Sequence, residues 1–116
     1  MKYLLTIYEN EATYDDGTGA AMGAIIEKHM AFGAEIGAAI LNGAGLQPAA
    51  SATTVRTDSG KQTLHDGPFA ETREQLGGFY MIEAADLDAA IAIAKKVPLT
   101  ADGAIEIRPI LGPPGM

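Results

Sequence analysis

Cysteine is absent from this sequence of 116 residues, and its absence excludes several kinds of protein. Without thiols there is no disulfide framework, no thiolate nucleophile and no zinc-ribbon pattern. The fold must therefore be held together by the packing of apolar residues, which make up 47% of the chain. The length fits a single domain with one core.

Basic residues are scarce as well. Lysine and arginine together number 8 against 15 aspartates and glutamates, which gives a formal net charge of -7. A protein that binds a phosphate backbone needs clustered lysine and arginine to displace the counterions. We therefore expect no nucleic-acid partner.

Long apolar runs are also missing. No segment approaches the roughly 20 apolar residues that a membrane span requires, and residues 1–8 turn polar too soon for the apolar region of a signal peptide. We expect a soluble cytoplasmic protein with no membrane partner. We place a single domain over residues 1–110 and a flexible tail, rich in glycine and proline, over 111–116.

The periodicity of the apolar residues predicts the order β, α, several β, α, β. Alternation of period two predicts strands, and spacing of three and four residues predicts helices. The second helix is expected to start after an Asp86 cap and to end before Pro98. Strands are predicted at 2–8, 46–50, 52–57, 61–65, 79–84 and 105–108, and helices at 20–41 and 87–97.

This order is typical of an α+β protein with a ferredoxin-like antiparallel sheet and two helices on one face. The strands at 2–8 and 79–84 nevertheless carry apolar side chains on both faces. The face without helices would expose an apolar patch, which monomers rarely tolerate. We therefore expect a homodimer that packs sheet to sheet.

His29 is the first candidate for chemistry, because it lies on or beside the apolar stripe of the first helix. Imidazole titrates close to neutral pH and serves as a general acid or base. Alternatively, His29 is a half-buried histidine that donates to a backbone carbonyl. The spacing does not decide between these two roles.

Asp66 is the second candidate. Its carboxylate could orient His29 through a charge-assisted hydrogen bond, as in acid–base pairs on other folds. It could equally accept backbone N–H groups and fix the turn at Gly67-Pro68. The adjacent His65 is expected to point to the opposite face of its strand.

The segment after Asp66 adds possible ligand-binding residues. Arg73 could clamp a carboxylate or phosphate, or it could belong to a solvated charged loop. Gly77 and Gly78 could direct N–H groups at an anion, or they could form a bulge at a strand entry. Thr72 and Gln75 have capping-box spacing, which predicts one helical turn. No cofactor loop and no metal site are predicted, because the glycine pairs and the two histidines lack the required context.

Residues 66–78, DGPFAETREQLGG, resemble the signature loop of the DGPF branch of YCII-related proteins. The resemblance implies a dimeric α+β barrel with a site formed by a histidine on the first helix and an aspartate in the loop after the hairpin, positions that look like His29 and Asp66. The wider family often has a serine beside a glycine where this chain has Gly77-Gly78. Further matching segments are residues 1–5, 45–48, 52–56, 86–90 and 105–110.

Two functions remain open. In the first, the protein is a homodimeric acid–base enzyme, isomerase-like or lyase-like, in which His29 oriented by Asp66 moves a proton on a small metabolite of anionic or aromatic character. In the second, it is a noncatalytic dimer that binds a small ligand or a regulatory partner through residues 66–78. Some relatives occur with sigma-factor genes, and this implies the regulatory role.

Overall fold

A computed structural model describes residues 1–112 of the chain. Of the predicted tail at 111–116, the last four positions lie outside the described residues. The strands are β1 (Lys2–Glu9), β2 (Ile40–Gly45), β3 (Thr53–Asp58), β4 (Lys61–Asp66), β5 (Gln75–Glu83) and β6 (Gly103–Pro109), and the helices are α1 (Ala20–Ile36) and α2 (Leu87–Ala94).

The main sheet has four strands in the order β2-β5-β1-β6, and all its neighbouring pairs are antiparallel. The connections through α1 and α2 each skip one strand, which is the split βαβ arrangement of ferredoxin-like proteins. The β3–β4 hairpin follows β2 and precedes β5 in the chain, and it forms a separate two-stranded sheet. The predicted α+β class with an antiparallel sheet is therefore confirmed.

The core lies on one face of this sheet. Tyr3, Leu5 and Ile7 alternate along β1 and are buried. They belong to one cluster with Phe32 of α1 and Ala90 of α2. Both helices therefore cover the same face, as predicted, and small side chains on α2 allow it to pack closely.

The opposite face lies away from both helices and is apolar along β1 and β5, whereas its β6 part is charged. Leu4 pairs with Met81, and Thr6 pairs with Phe79, across β1 and β5. These side chains are only partly buried. The hydroxyl of Thr6 is buried and has no hydrogen-bond partner among the described residues. The prediction of a sheet that is apolar on two faces is confirmed.

Two local predictions are also confirmed. The hairpin of β3 and β4 turns at Ser59 and Gly60, which have φ angles of 50° and 79°. Such positive values favour glycine at one of the two positions. At the start of α2, the carboxylate of Asp86 accepts the backbone N–H of Ala89 at 2.9 Å, which is the expected N-cap.

The prediction was wrong around the end of the first helix. α1 ends at Ile36 because Gly37 adopts a φ of 64° and its N–H bonds to the carbonyl of Gly33. The predicted last turn becomes a 3-10 turn at Gly37–Ala39, and the residues after it, Ile40–Gly45, form β2, which pairs with β5. The strand predicted at 46–50 is absent, and a 3-10 turn begins after Pro48. Pairing with β5 outweighs the local helical period.

The helical turn predicted at Thr72 to Gln75 was also wrong. Gln75 is the first residue of β5, and its side-chain amide donates to the carbonyls of Ala70 and Thr72 at 3.0 and 2.8 Å. The hydroxyl of Thr72 donates to the carbonyl of Glu74 at 2.6 Å. Both side chains therefore stabilise an irregular loop rather than a helix cap.

Two strand glycines permit close approach of neighbouring groups, and we expect their substitution to destabilise the protein. A Cβ at Gly43 would lie 2.6 Å from Cδ1 of Tyr80, and one at Gly78 would lie 2.7 Å from the carbonyl oxygen of Ala44. Gly43→Ala and Gly78→Ala should each lower the free energy of unfolding by about 1–3 kcal/mol in urea denaturation.

Gly45→Ala is the matched control, since a Cβ there meets nothing within 4 Å. It should change the free energy of unfolding by less than about 1 kcal/mol. Equal losses for Gly45→Ala and Gly78→Ala would contradict the close approach.

Candidate functional site

A cavity of about 480 Å³ lies between α1 and the main sheet. One wall consists of apolar side chains from α1, and the opposite wall is formed by β2 and β5, where glycines leave space that side chains would fill. A concave, mainly apolar site with a few polar groups is the usual form of a small-molecule site. The α1 wall contains Met22, Ile25, Ile26, His29 and Met30, and the glycines are Gly43, Gly45, Gly77 and Gly78.

His29 and Tyr80 form the polar centre of this cavity. Nδ1 of His29 lies 2.7 Å from the hydroxyl oxygen of Tyr80, and both residues line the cavity. The ring of Phe32 packs against Tyr80 with a centroid distance of 5.0 Å. The partner of His29 is therefore a side-chain hydroxyl rather than the backbone carbonyl considered from sequence.

Burial favours the uncharged form of both His29 and Tyr80. It lowers the pKa of His29 from its ordinary value of 6.5, and the negative charge of Glu9 opposes this shift only in part. Burial also raises the pKa of Tyr80. Both groups are therefore neutral at neutral pH, and the hydrogen bond between them can be donated from either side, depending on the imidazole tautomer.

A second polar network surrounds Glu9, the last residue of β1. Its side chain is buried, and Oε2 accepts hydrogen bonds from the Tyr14 hydroxyl at 2.7 Å and the Thr100 N–H at 3.2 Å. The hydroxyl of Thr100 also donates to the oxygen of Tyr14 at 3.1 Å. Burial, together with the hydrogen bond and charge of Glu9, raises the pKa of Tyr14 to about 12 despite the opposing hydrogen bond of Thr100.

Sequence reasoning missed Glu9 and Tyr80 as site residues. The alternation of β1 places Glu9 on the same face as Leu5 and Ile7, so a carboxylate at the end of an apolar stripe was the available signal. The pattern of β5 presents Tyr80 as one apolar residue of a strand, although a buried tyrosine normally needs a hydrogen-bond partner. No spacing in the sequence indicated that this partner would be His29.

The residues predicted for the site are only partly brought together. His29, Gly77 and Gly78 line the cavity. Arg73 lines a different depression of about 790 Å³, beside Glu74. Asp66 ends β4, is exposed and does not line the cavity, so its action on His29 stays a prediction.

The turn after Asp66 is held by other groups. The N–H of Gly67 donates to the carbonyl of Ala52 at 2.7 Å, and the hydroxyl of Thr54 donates to the carbonyl of Gly67 at 2.9 Å. His65 is exposed and its ring lies near Gly67, which has a φ of 127°. The hairpin therefore fixes this turn largely through the backbone of Gly67.

Within residues 1–112, no three histidine, cysteine, aspartate or glutamate side chains are grouped in a way that would hold a metal ion. None of the helices in this part of the chain has the length and apolar character needed to cross a bilayer.

Comparison with known proteins identifies the family. An uncharacterized protein of Rhizobium meliloti (strain 1021) is 45% identical over 71 residues, which cover 58% of this chain and 56% of the relative. The match thus spans little more than half the length of that relative. The family model described as the YCII-related domain matches residues 1–112. The resemblance seen in residues 66–78 and the flanking segments is therefore confirmed, and the chain belongs to the YCII-related domain family.

Proposed function

We propose that this protein is a small acid–base enzyme in which His29 and Tyr80 move a proton on a metabolite bound between α1 and the main sheet. The observation that carries the proposal is the 2.7 Å hydrogen bond between the two side chains within a cavity of about 480 Å³. A neutral imidazole at neutral pH supplies a free base without prior loss of a proton.

The pair supports a proton relay without net charge. Nε2 of His29 takes a proton from the substrate, the proton on Nδ1 passes to the oxygen of Tyr80, and the Tyr80 hydroxyl proton goes to a second substrate atom. One proton leaves the substrate and one returns, so the enzyme changes only its tautomer. If the Tyr80 proton goes to another carbon or heteroatom of the same substrate, the reaction is an isomerisation. If it goes to a leaving group, the reaction is an elimination.

Asp66 is the alternative to Tyr80 as the residue that orients the His29 ring. Because the Tyr80 hydroxyl occupies Nδ1, an Asp66 carboxylate would have to bind Nε2, the atom assigned here to the substrate. Asp66 is exposed at the end of β4. We therefore assign the orientation of His29 to Tyr80 and treat the His29–Asp66 pair as the alternative.

NMR of the imidazole nitrogens separates these assignments. In the wild type, His29 should titrate below 6.5, since burial disfavours its charged form. Tyr80→Phe should shift both ring nitrogens of His29, because the Nδ1 partner is lost, whereas Asp66→Asn should leave them unchanged. A large response to Asp66→Asn with none to Tyr80→Phe would reverse the assignment.

We also propose that two copies pack through the apolar sheet face opposite the helices and form a dimeric α+β barrel. The partly buried Leu4, Phe79 and Met81 on this face support it. The projecting hairpin adds exposed apolar side chains at Val55 and Leu64, which are 59% and 75% exposed. Apolar surface of this extent is more usual at an interface than on a monomer.

Met81→Glu should dissociate the dimer, because an unpaired carboxylate in an apolar interface costs several kcal/mol. Light scattering after size exclusion should show a mass near twice that of the 12.0 kDa chain for the wild type and near the single chain for Met81→Glu. Leu87→Glu, at an exposed position on α2, is the control and should remain dimeric. A monomeric wild type at high protein concentration would refute the interface.

A noncatalytic role in binding a small ligand or in regulation is the second candidate function. The apolar wall from α1 supports this role, since apolar contacts give a ligand affinity and need no catalytic group. In this case His29 and Tyr80 would only supply hydrogen bonds to the ligand.

Native mass spectrometry of the purified protein should identify a copurifying ligand, which then directs the assay. His29→Gln should retain the ligand but lower turnover by about 10²–10⁴-fold, the usual contribution of a general acid or base. Tyr80→Phe should lower turnover in the same direction, with Tyr8→Phe as a tyrosine control, since Tyr8 lines the other depression and not this cavity. Full turnover in both His29→Gln and Tyr80→Phe would refute the enzyme, and ligand retention without turnover in the wild type would favour the binding protein.

A further inference from the structure

Glu9 is a buried carboxylate without a positive partner. Its residue is 8% exposed and lines the cavity that holds His29. Oε2 accepts both of its hydrogen bonds, from neutral donors, and within the described part of the chain Oε1 accepts none. No lysine or arginine among residues 1–112 forms an ion pair with it. A largely buried carboxylate with one oxygen free to accept attracts a cation more strongly than an exposed carboxylate does, because less water screens the charge.

The remaining charges of the cavity have the same sign. Glu11 also lines it and accepts the N–H of Ala49 at 2.8 Å through Oε2. Among the described residues, the cavity wall contains no lysine and no arginine. Arg73, the residue predicted to bind an anion, lies in the other depression. A site that contains two carboxylates and a neutral histidine repels an anionic ligand, and it does so more strongly where water is excluded.

We infer that the cavity binds an organic cation, with its ammonium group beside Glu9 and its apolar part against the α1 wall. This inference uses the cavity of the proposed function and specifies the class of its substrate. Met22 and Met30 supply flexible apolar contacts to the body of such a ligand. A divalent metal is a poorer occupant, since no group of three or more metal-ligating side chains is present in residues 1–112.

The test uses three probes of similar shape and different charge: 2-phenylethylamine, 2-phenylethanol and phenylacetate. Their dissociation constants are measured by NMR titration of the full-length protein at low ionic strength, where charge effects are least screened. The amine should bind at least about tenfold more tightly than the alcohol, and phenylacetate should bind most weakly.

Glu9→Gln should remove most of the preference for the amine and leave the affinity for the alcohol unchanged. Glutamine keeps an oxygen that can accept from Tyr14 and Thr100, so the network is preserved. Glu71→Gln, at an exposed position in the loop before β5 and outside the cavity wall, is the matched control and should keep the full preference. If Glu9→Gln does not fold, Glu11→Gln is used instead and should reduce the preference by about threefold, since a more exposed charge is better screened.

Several results would overturn the inference: equal affinities for amine and alcohol, no binding of the amine, or a preference that survives Glu9→Gln. Its failure is distinguishable from failure of the proposed function. If all three probes shift the NMR signals of His29 with similar affinities, the preference for a cation is refuted, but the proposed acid–base site is not. If the preference for the amine depends on Glu9 but His29→Gln keeps full turnover, the cation site is supported and the proposed mechanism is refuted.

Discussion

The contact between Gly43 and the ring of Tyr80 is the constraint on which the candidate site depends. The Tyr80 ring occupies space that a Cβ at Gly43 would fill, so β2 can lie beside β5 only because this position lacks a side chain. Phe32 packs against the same ring. These contacts hold the Tyr80 hydroxyl beside His29, and the proposed relay depends on this hydrogen bond.

Electrostatics give the cavity its particular character. Burial lowers the pKa of His29 and raises the pKa of Tyr80, so that it favours the neutral form of both groups, while Glu9 is buried nearby at the end of β1. Neutral partners can exchange a proton without separating charge, which is favourable in a medium of low dielectric. The unpaired carboxylate, in contrast, favours a ligand of opposite charge. The same apolar surroundings thus support both the proposed proton transfer and the proposed selection of a cation.

Membership of the YCII-related domain family accounts for the scaffold and leaves the chemistry to the individual residues. In this chain the signature loop, residues 66–78, divides between different parts of the structure. Its last two glycines line the cavity, Arg73 lines another depression, and Asp66 ends the projecting hairpin. The loop is therefore a connection between the hairpin and β5, and its residues do not converge on one site within the chain.

The sequence by itself determined the elements whose apolar period is long and whose ends are marked. These include β1, the hairpin, the Asp86 cap and the two apolar faces of the sheet. It also indicated His29, since a histidine beside an apolar helical stripe must be half-buried. It could not place β2, because Ile40 continues the helical period of α1 and only pairing with β5 makes this segment extended. Nor could it pair His29 with Tyr80, which lie 51 positions apart and meet through packing. Local patterns record which face of an element is apolar, whereas only the tertiary structure decides which side chains of two such faces come into contact.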